Sequence, residues 1–151
     1  MYGKISDQLK RKPAIARKLF MLAVDVGWSR FLHQQGRGKW SAKHLLWPLL
    51  NKLVASNVAA KLGGRMRAAV SGGAALSPDV TKIFIGMGIP IVHGYGLTET
   101  SPVISVNPLE DNVPSSVGVP IRETEVKLGE HDELLVHGPV VMLGYCNNHR
   151  A

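Results

Sequence analysis

Cysteine is almost missing from this chain, acids are almost missing from its first half, and no long apolar run occurs anywhere. Cys146 is the single cysteine, which excludes an internal disulfide and a cysteine-rich zinc site and makes a reducing cytoplasm the expected compartment. The six histidines, His33, His44, His93, His131, His137 and His149, show no metal-ligand spacing. Residues 1–17 are polar and basic, without the apolar stretch of a signal peptide. The longest apolar runs, around residues 45–50 and 83–92, are interrupted and fall far short of the ~20 residues a membrane span requires.

What is present fits one globular α/β chain. Of 151 residues, 45% are hydrophobic and 19% charged, enough for a sizeable core and too apolar for a disordered chain. The charge is unevenly placed. Residues 1–67 hold 14 Lys/Arg against two acids, Asp7 and Asp25, whereas residues 68–151 hold four against nine acids. A basic first half suits an anionic partner such as phospholipid or nucleotide, and it equally suits lysines that only solvate helix faces. A nucleic-acid partner is not expected, because the basic segment carries no helix-turn-helix, zinc or RNA-recognition signature.

The hydrophobic pattern divides the chain into a basic helical segment (1–64), a strand–helix–strand segment (65–108) and a β-rich segment (109–151). In the first, Ile15, Leu19, Leu22 and Val26 recur at helical steps over residues 7–34, with Pro13 near the start. Ser41 is the expected N-cap of a second helix that would present Leu45, Leu46, Leu49, Leu50, Leu53 and Val54, be kinked by Pro48, and end at Gly63-Gly64. In the second, residues 66–71 read as a buried strand. Ser77-Pro78-Asp79 opens a helix with a stripe of Val80, Ile83, Phe84 and Met87, Gly88 stops it, and 91–93 form a second strand. In the third, residues 124–128 and 133–137 read as a hairpin around Gly129-Glu130-His131-Asp132.

A βαβ unit with parallel strands places both strand ends on one edge of a sheet, where ligands of open α/β sheets collect. Two glycine-bearing loops leave that edge: Ser71-Gly72-Gly73-Ala74, and Gly94-Tyr95-Gly96-Leu97-Thr98-Glu99. Gly72 and Gly73 allow a flat ring to approach the backbone, and Tyr95 offers an aromatic face for stacking. Thr98 can donate to a phosphate, and the Glu99 carboxylate suits a hard cation. Each feature alone has an ordinary reading as turn glycines, a core tyrosine or a helix-start pair.

Together with Glu133-Leu134-Leu135-Val136-His137-Gly138-Pro139 and Val141-Met142-Leu143-Gly144-Tyr145, these motifs resemble the adenylate-forming enzymes. The run Tyr95 to Pro102 and the basic helical lead-in look most like AMP-forming long-chain fatty-acid CoA ligases. The resemblance implies helices leading into a parallel βαβ unit of a Rossmann-like sheet, then short antiparallel strands of a β-subdomain, all within a large adenylation domain. It implies ATP, Mg²⁺ and coenzyme A as cofactors and co-substrates, with fatty acid and AMP as further partners. Gly72, Gly73, Ala74, His93, Gly94, Tyr95, Gly96, Leu97 and Thr98 would bind nucleotide, Thr98 and Glu99 would act catalytically, and Glu99 would hold the metal. His93 stands where many relatives carry an amide, and Asp132 replaces a turn glycine, being among the few residues that accept positive φ. The family's lysine-bearing phosphate loop, ribose-gripping carboxylate and small C-terminal domain have no counterpart in these 151 residues. The expectation is therefore a central fragment, inactive alone, with a non-catalytic nucleotide-binding or interaction module as the alternative. The basic helices add an expected peripheral contact with an anionic membrane on its inner, cytoplasmic face.

Overall fold

A computed structural model describes residues 13–146 of the chain. Helix α1 (Ala14–Gln34) begins immediately after Pro13, whose φ of −52° and ψ of 151° place it as the N-cap, where a missing N–H interrupts nothing. The earlier part of the expected helix, residues 7–12, lies outside the described residues. A helical run follows that changes hydrogen-bond spacing three times: a 3₁₀ turn (Ala42–Leu46), α2 (Trp47–Leu50), a π turn (Asn51–Ala55) and α3 (Ser56–Lys61). Ser41 caps the first turn by accepting from the Lys43 N–H at 3.4 Å. The change of spacing falls at Pro48, which supplies no N–H to the ladder, so the expected kink takes the form of a tight turn before it and a wide one after.

Strand β1 (Ala69–Ser71) leads into α4 (Pro78–Gly86) and β2 (Ile91–Tyr95) in the expected order, but β1 is shorter than the expected 66–71 and is not buried, Val70 being 73% exposed. Ser77 is the N-cap by position, but its side chain makes no capping bond; its carbonyl accepts instead from the Thr81 N–H at 3.0 Å. Gly88, at φ +77°, takes the left-handed position that ends α4, with Ile89 N–H returning to the Phe84 carbonyl at 3.0 Å. Strands β3 (Ser105–Val106) and β4 (Val119–Pro120) complete a mixed four-stranded sheet in the order β1-β2-β3-β4. The last two pairings are antiparallel. The hairpin is β5 (Glu125–Leu128) and β6 (Leu134–His137), in register from Glu125↔His137 to Leu128↔Leu134. Its turn holds Asp132 at φ 62°, the positive value its side chain tolerates, and His131 at 59°.

The chain forms two compact units. One takes the chain up to Ala69 together with Leu76–Ile91, so α4 groups with the N-terminal helices; the other takes Val70–Ala75 and the chain from Val92 onward. The core of the first unit is Phe20, Ala23, Val24, Val26, Leu50, Ala55 and Met87, flanked by Leu19, Trp47, Val54, Val58 and Ile83. This corrects the expected helix faces. Val26 is buried, but Ile15 is 81% exposed, and Leu45, Leu49 and Leu53 are 73%, 58% and 51% exposed. On α4 the deepest residues are Thr81, Ile85 and Gly86, while Val80, Ile83 and Phe84 are half-buried.

The physical reason is a backbone contact between α1 and α4. A Cβ added to Gly27 would fall inside the Gly86 carbonyl and lie 2.6 Å from the Trp47 ring; one added to Gly86 would lie 2.5 Å from the Val24 carbonyl oxygen. The helices meet where side chains are absent, and the larger apolar residues arrange themselves around that point. At the rim, Lys82 Nζ donates to Asp25 Oδ1 at 2.8 Å, an exposed pair worth little by itself. Gly27→Ala should destabilise the first unit by about 1–3 kcal/mol through overpacking, despite alanine's better helix propensity. Chemical denaturation checks this; unchanged or higher stability would mean the helices do not approach so closely.

Candidate functional site

The second unit is organised by polar groups as much as by apolar ones. Asn107, just beyond β3, is 3% exposed. Its side-chain amide donates to the carbonyls of Val113 (3.1 Å) and Ser116 (2.6 Å), and its Oδ1 accepts from the Val113 N–H at 3.2 Å. Ser105 Oγ donates to the Val117 carbonyl at 3.1 Å. These bonds wrap the proline-dotted segment after Pro108 around the end of β3, and so fix the strand that pairs with β2.

On that frame the two glycine loops are neighbours. A Cβ added to Gly72 would lie 3.6 Å from the Gly94 carbonyl oxygen, an ordinary contact distance. Gly73 has φ +79° with open space around it, and Gly72, Gly73 and Ala74 are all exposed. Beyond β2 the chain turns against itself. A Cβ on Gly96 would collide with the Pro102 carbonyl and lie 2.8 Å from Val103 Cα, so only glycine fits there. The 3₁₀ turn Thr98–Thr100 follows. Thr100 is 4% exposed, and its hydroxyl both accepts from the Leu97 N–H (2.9 Å) and donates to the Leu97 carbonyl (3.0 Å).

This geometry leaves Tyr95, Leu97 and Thr98 exposed and Glu99 half-exposed along one short loop. Tyr95 is 37% exposed at the end of β2. His93 is different: its ring is buried, and Nε2 has no hydrogen-bond partner among the described residues. Glu99 is fastened twice by the segment after β6. The Met142 N–H donates to the Glu99 carbonyl at 2.8 Å, and the Tyr145 hydroxyl donates to Glu99 Oε1. That hydroxyl, with help from the residue's own N–H, holds the Glu99 carboxyl below its ordinary range; the same bond pushes the Tyr145 phenol up. No group of three or more His, Cys, Asp or Glu side chains is arranged for a metal among the described residues. A lone carboxylate still fits Mg²⁺, which takes one or two protein ligands and fills its remaining positions with substrate phosphates and water. An open cavity of about 620 Å³, lined by Glu123, Thr124, Glu125, His137, Gly138 and Pro139, contains none of the sequence-predicted residues.

The sequence reading gave no role to Thr100, Asn107 or Tyr145. Asn107 beside Pro108 carried a turn signal, whereas the contact between Glu99 and Tyr145 spans 46 residues and leaves no local pattern.

The sequence pattern of the family described as "AMP-binding enzyme" matches residues 20–146. The "Long-chain-fatty-acid--CoA ligase FadD15" of Mycobacterium bovis is 35% identical over 100% of this chain and 26% of its own length. The "Probable acyl-activating enzyme 16, chloroplastic" of Arabidopsis thaliana is 42% identical over 68% of this chain and 16% of its own. The crystal structure of the anthranilate CoA ligase AuaEII in complex with anthranoyl-AMP matches with a TM-score of 0.52 at 25% identity, over 56% of this chain and 18% of that one. The helices and mixed sheet have the fold of adenylate-forming CoA ligases. The chain belongs to the AMP-binding enzyme family, and it spans about a quarter of the length of the mycobacterial relative.

A carbon-detected titration of the Glu99 carboxyl should give a midpoint below that of an ordinary exposed glutamate. Tyr145→Phe should raise it. The sign follows from linkage: a carboxyl depressed on folding favours the folded chain above its unfolded pKa, and that contribution fades as pH falls through the folded value. An unmoved midpoint in the Phe variant would mean the hydroxyl bond is not formed.

Proposed function

We propose that this chain supplies part of the adenylate site of a long-chain fatty-acid CoA ligase. The enzyme would activate a fatty acid with ATP and pass the acyl group to coenzyme A. The observation that most supports the reading is the meeting of Gly72 with Gly94, which sets the Gly72-Gly73-Ala74 loop beside the loop bearing Tyr95, Thr98 and Glu99. In the proposed reaction a fatty carboxylate oxygen attacks the α-phosphorus of ATP, the bond to the bridging oxygen breaks, and pyrophosphate leaves. The thiolate of coenzyme A then attacks the acyl carbon and expels AMP. Tyr95 stacks on the adenine, while Gly72, Gly73 and Ala74 border it without side chains in the way. His93, Gly94, Gly96 and Leu97 shape the same loop, the buried His93 from beneath. Thr98 donates its hydroxyl to the α-phosphate as negative charge builds there. Mg²⁺, when bound, would neutralise phosphate charge, and Glu99 is the residue that would hold it.

Apolar side chains at Leu45, Leu49 and Leu53 stand exposed on the helical run that carries Lys43 and Lys52. That pairing supports peripheral contact with anionic lipid, the phase that stores fatty acid, as part of the same proposal. No helix among the described residues is long and apolar enough to cross a membrane.

The test transplants the 151 residues into the matching quarter of the mycobacterial relative and measures pyrophosphate release and acyl-CoA formation with ATP, Mg²⁺ and palmitate. The chimera should turn over. In it, Thr98→Ala should lower kcat roughly 10²–10³-fold, the scale of losing one preorganised donor, and Glu99→Gln should raise the Mg²⁺ concentration required. The 151-residue chain alone should release no pyrophosphate above background. Turnover of about 1 s⁻¹ or more from it, within the range of ordinary enzymes, or a Thr98→Ala chimera at full rate, would contradict the proposal.

A further inference from the structure

Glu99 is held by a part of the chain remote in sequence. Its carbonyl and its carboxylate are both engaged by the segment that follows β6, through Met142 N–H at 2.8 Å and the Tyr145 hydroxyl. Two bonds to one residue, one on the backbone and one on the side chain, fix both where Glu99 sits and which way its side chain turns. A glutamate on an exposed turn otherwise samples several rotamers, at an entropic cost whenever one is selected. Oε1 accepts from the Tyr145 hydroxyl, and the residue's own N–H adds a second bond to the carboxylate. A carboxylate offers about four lone-pair sites, so these two bonds orient it and leave acceptor capacity for a cation.

We propose that Tyr145 is a positioning residue for Glu99: its hydroxyl locks the carboxylate in a single orientation that leaves acceptor capacity for a divalent cation. The inference rests on the reading of Glu99 as the cation-holding residue, and it deepens that reading by adding the residue that orients it. It also explains why the residues after β6 belong to the site at all. Residues 138–146 carry no charge that could meet phosphate, yet Met142 and Tyr145 bring that segment onto the loop after β2. Groups that hydrogen-bond a metal ligand typically contribute roughly 10–100-fold to metal affinity; Glu99 is half-exposed, so the lower end, about tenfold, is expected here.

The experiment uses the whole 151-residue chain and two readouts, neither of them activity. Three-bond NMR couplings of the Glu99 side chain report its rotamer, and Mn²⁺ added alone as a paramagnetic probe reports cation approach by broadening the Glu99 resonances. In the wild type, Glu99 should occupy one rotamer, and Tyr145→Phe should average it while the amide spectrum of residues 94–100 stays folded. The Phe variant should also need about tenfold more Mn²⁺ for equal broadening. An averaged Glu99 in the wild type, or an ordered one with unchanged Mn²⁺ response in Tyr145→Phe, overturns the proposal. Glu99→Gln separates it from the reading beneath. If Mn²⁺ broadens residue 99 equally in the Gln variant while the rotamer still depends on Tyr145, the cation role fails and the orienting bond survives.

Discussion

At Gly96 the backbone passes so close to Pro102 and Val103 that no side chain can stand between them. That approach folds the loop after β2 back along the start of β3, and the remaining features of the site follow from it. The same fold-back lets Ile104 N–H reach the Tyr95 carbonyl at 2.8 Å and pairs Tyr95 with Ser105. It sets the tight turn in which Thr100 bonds both polar groups of Leu97, and so presents Thr98 and Glu99 outward. An internal strand of the sheet, β2, cannot shift without breaking its neighbours on both sides. The loop thus springs from a fixed point and is closed by a glycine contact. For chemistry at a phosphoryl centre, where positioning and fixed dipoles supply most of the effect, that rigidity matters more than any single side chain.

What the sequence made legible was whatever obeys a local rule. The strand–helix–strand order, the stop at Gly88, the cap position at Ser41 and the hairpin with Asp132 in its turn all rest on short-range backbone preferences, and all are present. The neighbourhood of Gly72 and Gly94 was legible too, since the topology of a βαβ unit dictates it. Helix faces were less so. A periodicity count weighs large apolar residues and ignores glycine, whereas α1 packs around Gly27. Ile15 and Leu22 consequently lie at the edge of the face they were expected to centre. Leu45, Leu49 and Leu53 keep a helical spacing that no described element covers.

The site divides in the same way. Tyr95, Thr98 and Glu99 are adjacent in sequence and adjacent in space, so a motif captures them. His93 belongs to the same run, but the pleat of β2 turns its ring into the interior. Tyr145 reaches Glu99 only because β5 and β6 return the chain to the sheet, a consequence of tertiary structure that no window of residues encodes. Asn107 is the quiet contributor: a buried amide with all of its described bonds directed at one loop, it holds in place the segment against which β3 and then β2 are set.

The claim that joins these observations is that the two glycine loops together receive an adenine nucleotide. Amide-resolved NMR of the 151-residue chain during titration with AMP tests it most directly. The account predicts shifts confined to residues 72–74 and 93–99, strongest at Gly73 and Tyr95, and lost from both loops together in Tyr95→Ala. Shifts centred instead on the cavity lined by Glu123 and His137, or no shifts up to the solubility limit of the nucleotide, would contradict it.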